Sequence, residues 1–292
     1  MRKFISRAVT SIAALGVALA MSPANAVQVS TQLGLVVDIS GSVDDTEYNL
    51  QRQGYVDAFN NPAIQSLISN SPNGVAVAVF YFSTLATATR TDSSDPDYVS
   101  WSAPILDWTL LQDAADASAF ATAIGNIARP TADPSDPKGD TNIADGVQAA
   151  ANSMLNNGFE GRMVIDVSGD GAQNTELDGT QPDDGCNGDI FTQISQVCFD
   201  VVEGQRDAAG AAGITINGLA ITTESPLLEG YFADHVITGD GSFVLVAESF
   251  EAFGSAIAEK IATEIIPVPA AVYLFGSALL GLGGLARRRQ KN

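Results

Sequence analysis

The sequence is poor in the residues on which much enzyme chemistry and all nucleic-acid binding depend. It holds one histidine, two cysteines, and 14 lysines and arginines against 34 acidic residues, in a chain of 292. With His235 as the sole imidazole, a Ser-His-Asp hydrolase has a single candidate base, and no Gly-x-Ser-x-Gly nucleophile turn occurs. His235 lies in Tyr231-Phe232-Ala233-Asp234-His235-Val236, which reads as the end of an amphipathic helix carrying a surface or capping histidine. Basic residues are scarcer still in the middle of the chain. Seven of the 14 lie in residues 1–26 and 287–292, so residues 27–286 carry seven basic against 34 acidic residues, a net −27. That charge excludes nucleic acid as a partner and fits solubility outside the cell. No proline-rich or serine-rich linker and no internal repeat divides the middle, which reads as one domain over residues 27–264.

The two ends have a different character. Residues 1–26 begin with Arg2, Lys3 and Arg7, continue through the apolar run Ile12 to Met21 and finish Ala24-Asn25-Ala26, the layout of a secretory signal with a small-x-small cleavage site. Residues 269–286 hold no charge and are followed by Arg287-Arg288-Arg289-Gln290-Lys291. As a helix this block would span about 27 Å, just enough for a bilayer core, with its basic tail on the cytoplasmic side. The only cysteines, Cys186 and Cys198, stand 12 positions apart in an exported chain, and a disulfide is expected between them.

Between the ends, short runs rich in Val and Ile alternate with amphipathic stretches. The runs are Leu33 to Val37, Val75 to Phe82, Met163 to Val167, Ile214 to Ile221 and Phe243 to Val246. Near-continuous apolarity suits strands buried on both faces. After Thr141, the residues Ala144, Val147, Ala151, Met154 and Leu155 share one helical face, with Gly158 as a stop; Phe250, Phe253, Ile257 and Ile261 do the same in the last helix. The expected fold class is therefore α/β, a doubly wound, mostly parallel sheet with helices on both faces. Residues 84–91 alternate through Leu85, Thr87 and Thr89 and are expected to add one antiparallel edge strand. Segments 91–112, 129–140 and 171–189, rich in Asp, Pro, Ser and Gly, read as surface loops.

The first strand ends in Val36-Val37-Asp38-Ile39-Ser40-Gly41-Ser42, ahead of a helix whose start is marked by Asp44 and Glu47. One carboxylate and two hydroxyls at alternate positions can turn toward one point, as hard oxygen ligands for Mg²⁺ or a similar ion. Alone the pattern is weak, since Asp and Ser also favour turns and helix caps. Two further segments join it: Gly139-Asp140-Thr141-Asn142-Ile143, with Thr141 at a helix start, and Val164-Ile165-Asp166-Val167-Ser168-Gly169-Asp170-Gly171, with Asp170 just past a buried strand.

In these three motifs the chain resembles the von Willebrand factor A domain and its metal-ion-dependent adhesion site, over roughly residues 31–264. The resemblance implies a divalent metal, Mg²⁺ first with Mn²⁺ or Ca²⁺ as alternatives, on Asp38, Ser40, Ser42, Thr141 and Asp170. It also implies a partner that offers a carboxylate to the metal. The third motif departs from the family's usual Thr-Asp-Gly: Ser168-Gly169 precede Asp170, an acidic insertion at 178–189 follows, and Asp166 competes with Asp170 as the ligand. The stretch from Asp166 to Gly171, with Asn174 after it, is similar to a bacterial exported branch of the family without assigned activity.

Other classes fit less well. A metal-assisted phosphohydrolase of the haloacid-dehalogenase type also starts from an Asp at a first strand's end, but uses a second Asp where this chain has Ser40, which cannot act as acid and base near neutral pH. Lys138 and Lys260 are the only lysines of the core. Gly281, Gly283 and Gly284 resemble part of a dinucleotide fingerprint but belong to the apolar tail. That tail, residues 265–292 with Pro267-Val268-Pro269 at its head, resembles the PEP-CTERM sorting signal of Gram-negative bacteria. The resemblance implies processing by an exosortase-like enzyme, at least transient membrane association, and a place at the cell surface or in the extracellular matrix. The expected function is a non-enzymatic, metal-dependent binding or adhesion module; a structural matrix component without metal-regulated binding is the alternative.

Overall fold

The Leu33 to Val37 run lies at the centre of strand β1 (Val27–Asp38), and the chain builds outward from it. The computed structural model describes residues 26–84, 103–129, 139–177 and 196–266. In order along the chain, β1 is followed by α1 (Asp45–Asn60), α2 (Pro62–Asn70), β2 (Val75–Phe82), β3 (Leu106–Leu111), α3 (Ala114–Gly125) and α4 (Ile143–Met154). Then come β4 (Phe159–Gly169), α5 (Gln196–Ala211), β5 (Thr215–Ile221), α6 (Leu228–Tyr231) with a π turn over Phe232–Val236, β6 (Val244–Ala247) and α7 (Phe250–Ile265). The six strands form one sheet in the order β3-β2-β1-β4-β5-β6. All neighbours are parallel except β2 and β3. This is the expected α/β class, a doubly wound sheet with one antiparallel edge strand.

Side chains alternate across the sheet, so each strand feeds two cores. Leu33, Leu35 and Val37 of β1 enter the core beneath α1, α2, α3 and α7, with Phe59, Phe120 and Phe253. Val36, with Phe80 and Phe82 of β2 and Ile165 and Val167 of β4, enters the opposite core beneath α4, α5 and α6. Each such aromatic or branched side chain contributes about 1.5–3 kcal/mol by leaving water, and all eight residues of β2 are buried. That double burial is why the strands read as unbroken apolar runs.

Helix placement depends on two close approaches. A Cβ on Gly54 of α1 would lie 2.7 Å from a ring carbon of Phe253 and 3.1 Å from the Cα of Gly254 on α7, so these helices cross where neither carries a side chain. A Cβ on Gly146 of α4 would meet Phe82 and Val36, each at 2.8 Å, which seats α4 directly on β1 and β2. At the start of α1, Asp44 accepts from the N–H groups of Thr46 and Glu47 while the Glu47 carboxylate accepts from Asp44 N–H. Such a reciprocal cap stabilises a helix by about 1 kcal/mol and here fixes where the loop after β1 ends.

Of residues 84–91, expected to form the antiparallel edge, only Thr84 is described. The place beside β2 belongs to Leu106–Leu111, within a stretch read as a surface loop, and residues 85–102 lie outside the described residues. An edge strand needs one partner and one buried side, so Asp107 and Thr109 are tolerated and the apolar signal is diluted. Of the expected surface loop 171–189, residues 171–177 are described and are loop, but Gly171, Ala172, Gln173 and Thr175 in it are buried and not at the surface. Cys198 is buried on α5; its expected partner Cys186 lies outside the described residues, and no disulfide is complete within them. Among the described residues no helix is long and apolar enough to cross a membrane; the block at 269–286 and the first 25 residues lie outside them.

Candidate metal centre

The direction of the sheet reverses between β1 and β4, which extend from the middle in opposite senses of chain order. In open α/β sheets ligands gather at such a switch point, outside the carboxyl ends of the strands. Asp38 is the last residue of β1, Asp170 follows β4 directly, and Thr141 sits one residue before Asn142, the N-cap of α4. The fold thus carries three loops distant in sequence to one place.

Their side chains touch in series. Thr141 Oγ1 donates to Ser40 Oγ at 3.2 Å, Ser40 Oγ and Ser42 Oγ are 3.3 Å apart, and Ser42 Oγ donates to Asp170 Oδ1 at 2.7 Å. Asp38 Oδ1 accepts from the Ser40 N–H at 2.8 Å, which tightens the turn after β1. Its other oxygen, Oδ2, is buried with no hydrogen-bond partner. Gly169 permits the approach: a Cβ there would stand 2.7 Å from Asp38 Oδ2.

The electrostatics are those of two carboxylates held together out of water. Burial first, and the charge of Asp170 second, push Asp38 up to about 8, against the hydrogen bond from the Ser40 main chain. Asp170 rises to about 6, again chiefly through burial, opposed by its bond from Ser42 and reinforced by Glu47 and Glu224. Such a pair favours either retained protons or a cation between the carboxylates. Two carboxylates, one of them with an unpartnered buried oxygen, and three hydroxyls make a hard, oxygen-only donor set of the kind that suits Mg²⁺, Mn²⁺ or Ca²⁺. Among the described residues no three His, Cys, Asp or Glu side chains converge on one point, so the hydroxyls are indispensable to any such site.

Asp166 takes no part in this centre. Its side chain leaves β4 on the opposite face, where Lys260 Nζ lies 2.7 Å from Asp166 Oδ1 and 2.8 Å from Glu264 Oε1, all three residues fully buried. Asn217 donates to Glu264, and Arg162 donates to its main-chain carbonyl. Asp166 lies within β4 and Asp170 just past its end, which separates the two aspartates, and Lys260 is held by Asp166 and Glu264 beneath α7. His235 is equally committed: Nδ1 is 2.7 Å from Glu203, and the ring stacks on Phe199 and Tyr231.

The sequence reading missed the support beneath the loops. Asn174 Oδ1 accepts from Thr141 N–H at 2.7 Å, and Asn174 N–H donates to the Thr141 carbonyl. Buried Gln173 accepts from Ala144 N–H and donates to Asn142 Oδ1 and the Thr175 carbonyl, while Tyr231 accepts from Gln173 N–H. These two residues lock the start of α4 to the turn after β4. Asn174 was visible beside the third motif, whereas nothing in the local pattern distinguished Gln173. Above the loops opens a cavity of about 480 Å³ whose lining includes Ser42, Asp140, Thr141, Asp170, Asn174 and Glu224.

A doubly wound sheet in this strand order, with three loops meeting at the β1/β4 switch point, defines the von Willebrand factor A type of Rossmann-like α/β fold. Residues 28–269 match the family described as "Protein of unknown function (DUF1194)", and the chain belongs to that family. No curated protein matches the sequence. Among solved structures, the pilus adhesin SpaC from Lactobacillus rhamnosus GG is similar in two crystal structures, with TM-scores of 0.50 and 0.51, 15% identity, and coverage of 81% of this chain and 30% of that one. Proximal thread matrix protein 1 from the mussel byssus aligns with a TM-score of 0.48 at 19% identity, over 80% of this chain and 45% of that one. The chain thus spans less than half the length of these proteins, and the likeness is one of fold.

Proposed function

We propose that this protein is a metal-dependent binding or adhesion module, not an enzyme, exported to the bacterial surface or extracellular matrix. The observation that carries the reading is the series Thr141–Ser40–Ser42–Asp170 closed against Asp38, whose buried Oδ2 has no partner. Asp38 and Asp170 would hold a divalent cation with two negative charges, and Ser40, Ser42 and Thr141 would add neutral oxygens. A cation so bound supplies positive charge for an incoming carboxylate of a partner. The protein's own part is to fix these five side chains, through the Asp38–Ser40 turn and the Gln173–Asn174 support, so that little is left to order on binding. Export rests on the signal-like residues 1–26 and handling by an exosortase-like enzyme on the tail 265–292. That a pilus adhesin uses the same fold accords with the reading.

Titration calorimetry of the secreted protein with Mg²⁺ and Mn²⁺ tests the metal, with binding expected for the native protein and lost in Asp38→Ala. Retention on native surface material, with and without chelator, tests the function. Retention that chelation leaves unchanged would instead mark a structural matrix component.

A further inference from the structure

Away from the metal centre, a second cluster of titratable side chains lies inside the protein and has no part in the function proposed above. Lys260 of α7 holds its Nζ 2.7 Å from Oδ1 of Asp166, on β4, and 2.8 Å from Oε1 of Glu264, one helical turn further along α7. All three residues are buried. The two contacts differ in kind. Glu264 Oε1 is a well-aligned acceptor, bonded by Lys260 Nζ and also by Asn217 Nδ2 at 2.9 Å. Lys260 Nζ stands off the hydrogen-bond line of Asp166, and neither oxygen of that carboxylate has a hydrogen-bond partner among the described residues. Since a carbonyl C–O bond is about 1.2 Å long, Asp166 Cγ lies within about 4 Å of the amine nitrogen, close to the separation from which such pairs react. The ring of Phe243 flanks the amine at 5.9 Å, and Arg162 donates to the main-chain carbonyl of Glu264.

A buried ion pair gains little against the cost of taking both charges out of water. Joining the amine to a carboxyl removes the two charges at once. We propose that Lys260 and Asp166 condense into an isopeptide bond, Nζ to Cγ, with Glu264 carrying a proton between them. The ammonium first gives a proton to the Asp166 carboxylate, which leaves a neutral amine beside a neutral acid. The amine lone pair then attacks Cγ, Glu264 takes a second proton from the nitrogen and gives one to the departing oxygen, the C–O bond breaks and one water leaves. The pair loses two protons and one oxygen, nothing is oxidised or reduced, and Glu264 ends as it began. Asp166 is the carboxyl that reacts because no hydrogen bond holds it, whereas Glu264 is fixed by Asn217. Burial, then the charge of Asp166, raises Glu264 to about 8, so its carboxyl can release and retake a proton near neutral pH. Holding amine and acid in contact replaces a collision by an internal step, and the closed site keeps out the water that would reverse it. The bond ties the last helix to a strand of the central sheet, so α7 could not peel from the sheet under load.

Intact mass and a tryptic map of the secreted protein test this without a variant that has to fold. Once its two ends and any disulfide are accounted for, the native chain should be lighter by one water. Trypsin should fail to cut after Lys260, and residues 163–206, released by cleavage at Arg162 and Arg206, should appear joined to the peptide that holds Lys260. The link should survive reduction and boiling in detergent. Asp166→Asn should reach the same final mass by losing ammonia in place of water, and Glu264→Gln, folded by circular dichroism, should lose the link. Ordinary cleavage after Lys260, with residues 163–206 free and no water lost after prolonged incubation at neutral pH, overturns the proposal and leaves a plain ion pair. Loss of water mapped to Lys260 and Glu264 on one peptide overturns the choice of Asp166. A full link in Glu264→Gln overturns the part given to Glu264.

Discussion

Ser42 Oγ donates to Asp170 Oδ1 at 2.7 Å across 128 positions of sequence, joining the loop after the central strand to the loop after its neighbour. The bond makes the geometry of the centre a property of the sheet, because each residue is held by the strand that precedes it. It also means that the two carboxylates approach each other only as closely as the parallel register of β1 and β4 dictates, with Val37 opposite Ser168.

Saturating Mg²⁺ should raise the thermal midpoint. A ligand at one hundred times its dissociation constant adds about 2.7 kcal/mol, which is on the order of 5–10 °C for a domain of this size. Differential scanning fluorimetry reads it. Ser42→Ala should shrink the shift and Asp38→Ala should abolish it, while the Asp38→Ala protein without metal should be no less stable than native, since a buried carboxylate has been removed. An equal shift in all three proteins would contradict the assigned ligands.

Gln173→Ala should cost about 1–3 kcal/mol, because it leaves the Ala144 N–H and Asn142 side chain without their buried partner. Asn174→Ala lies nearer the surface and should weaken Mg²⁺ binding with less loss of stability, since Thr141 N–H loses its acceptor. Urea denaturation set beside calorimetry separates the two effects. Unchanged metal affinity in Asn174→Ala would remove it from the support of the centre.

Stability should depend on pH through Glu264. Burial, then Asp166, pushes its carboxyl from 4.5 up to about 8, opposed by Lys260 and Asn217. A carboxyl that holds its proton more tightly when folded stabilises most below its unfolded value, so this contribution is complete below about pH 4.5 and fades as pH rises toward 8. Between pH 5 and pH 8, in saturating Mg²⁺, native protein should lose at least about 1 kcal/mol more than Glu264→Gln, the worth of one pKa unit. Parallel urea midpoints for the two proteins at both pH values would show that Glu264 stays ionised.

Mass spectrometry checks the segments beyond the described residues. Native secreted protein should lack residues 1–26 and the cluster Arg287 to Asn292, and a non-reduced digest should yield Cys186 and Cys198 in one linked peptide. Closing a loop of this length stabilises by about 3 kcal/mol in the chain-entropy account. Two free thiols would refute the bridge, and a surface form that keeps its arginines would make the tail an anchor.

The fold class was legible in local pattern because β1, β2, β4 and β5 are buried on both faces, and double burial writes itself into sequence as unbroken runs of Val, Ile and Leu. The cap at Asp44 and Glu47 was legible because it is made by residues three apart. The five centre residues could be named by their motifs, but their meeting could not be seen in any one segment. Sheet register and the seating of α4 on Val36 and Phe82 through Gly146 bring them together. The sequence favoured Asp170, at the loop end of the strand, over Asp166 within it, and tertiary structure showed where Asp166 goes instead, into the α7 face to meet Lys260. Tertiary structure alone revealed Leu106–Leu111 as the edge strand, where a single buried side leaves too weak a pattern, and Gln173 as a buried brace. A polar side chain that bonds to three distant main-chain and side-chain groups leaves no periodic trace, because its partners are chosen by the folded chain and not by its neighbours in sequence.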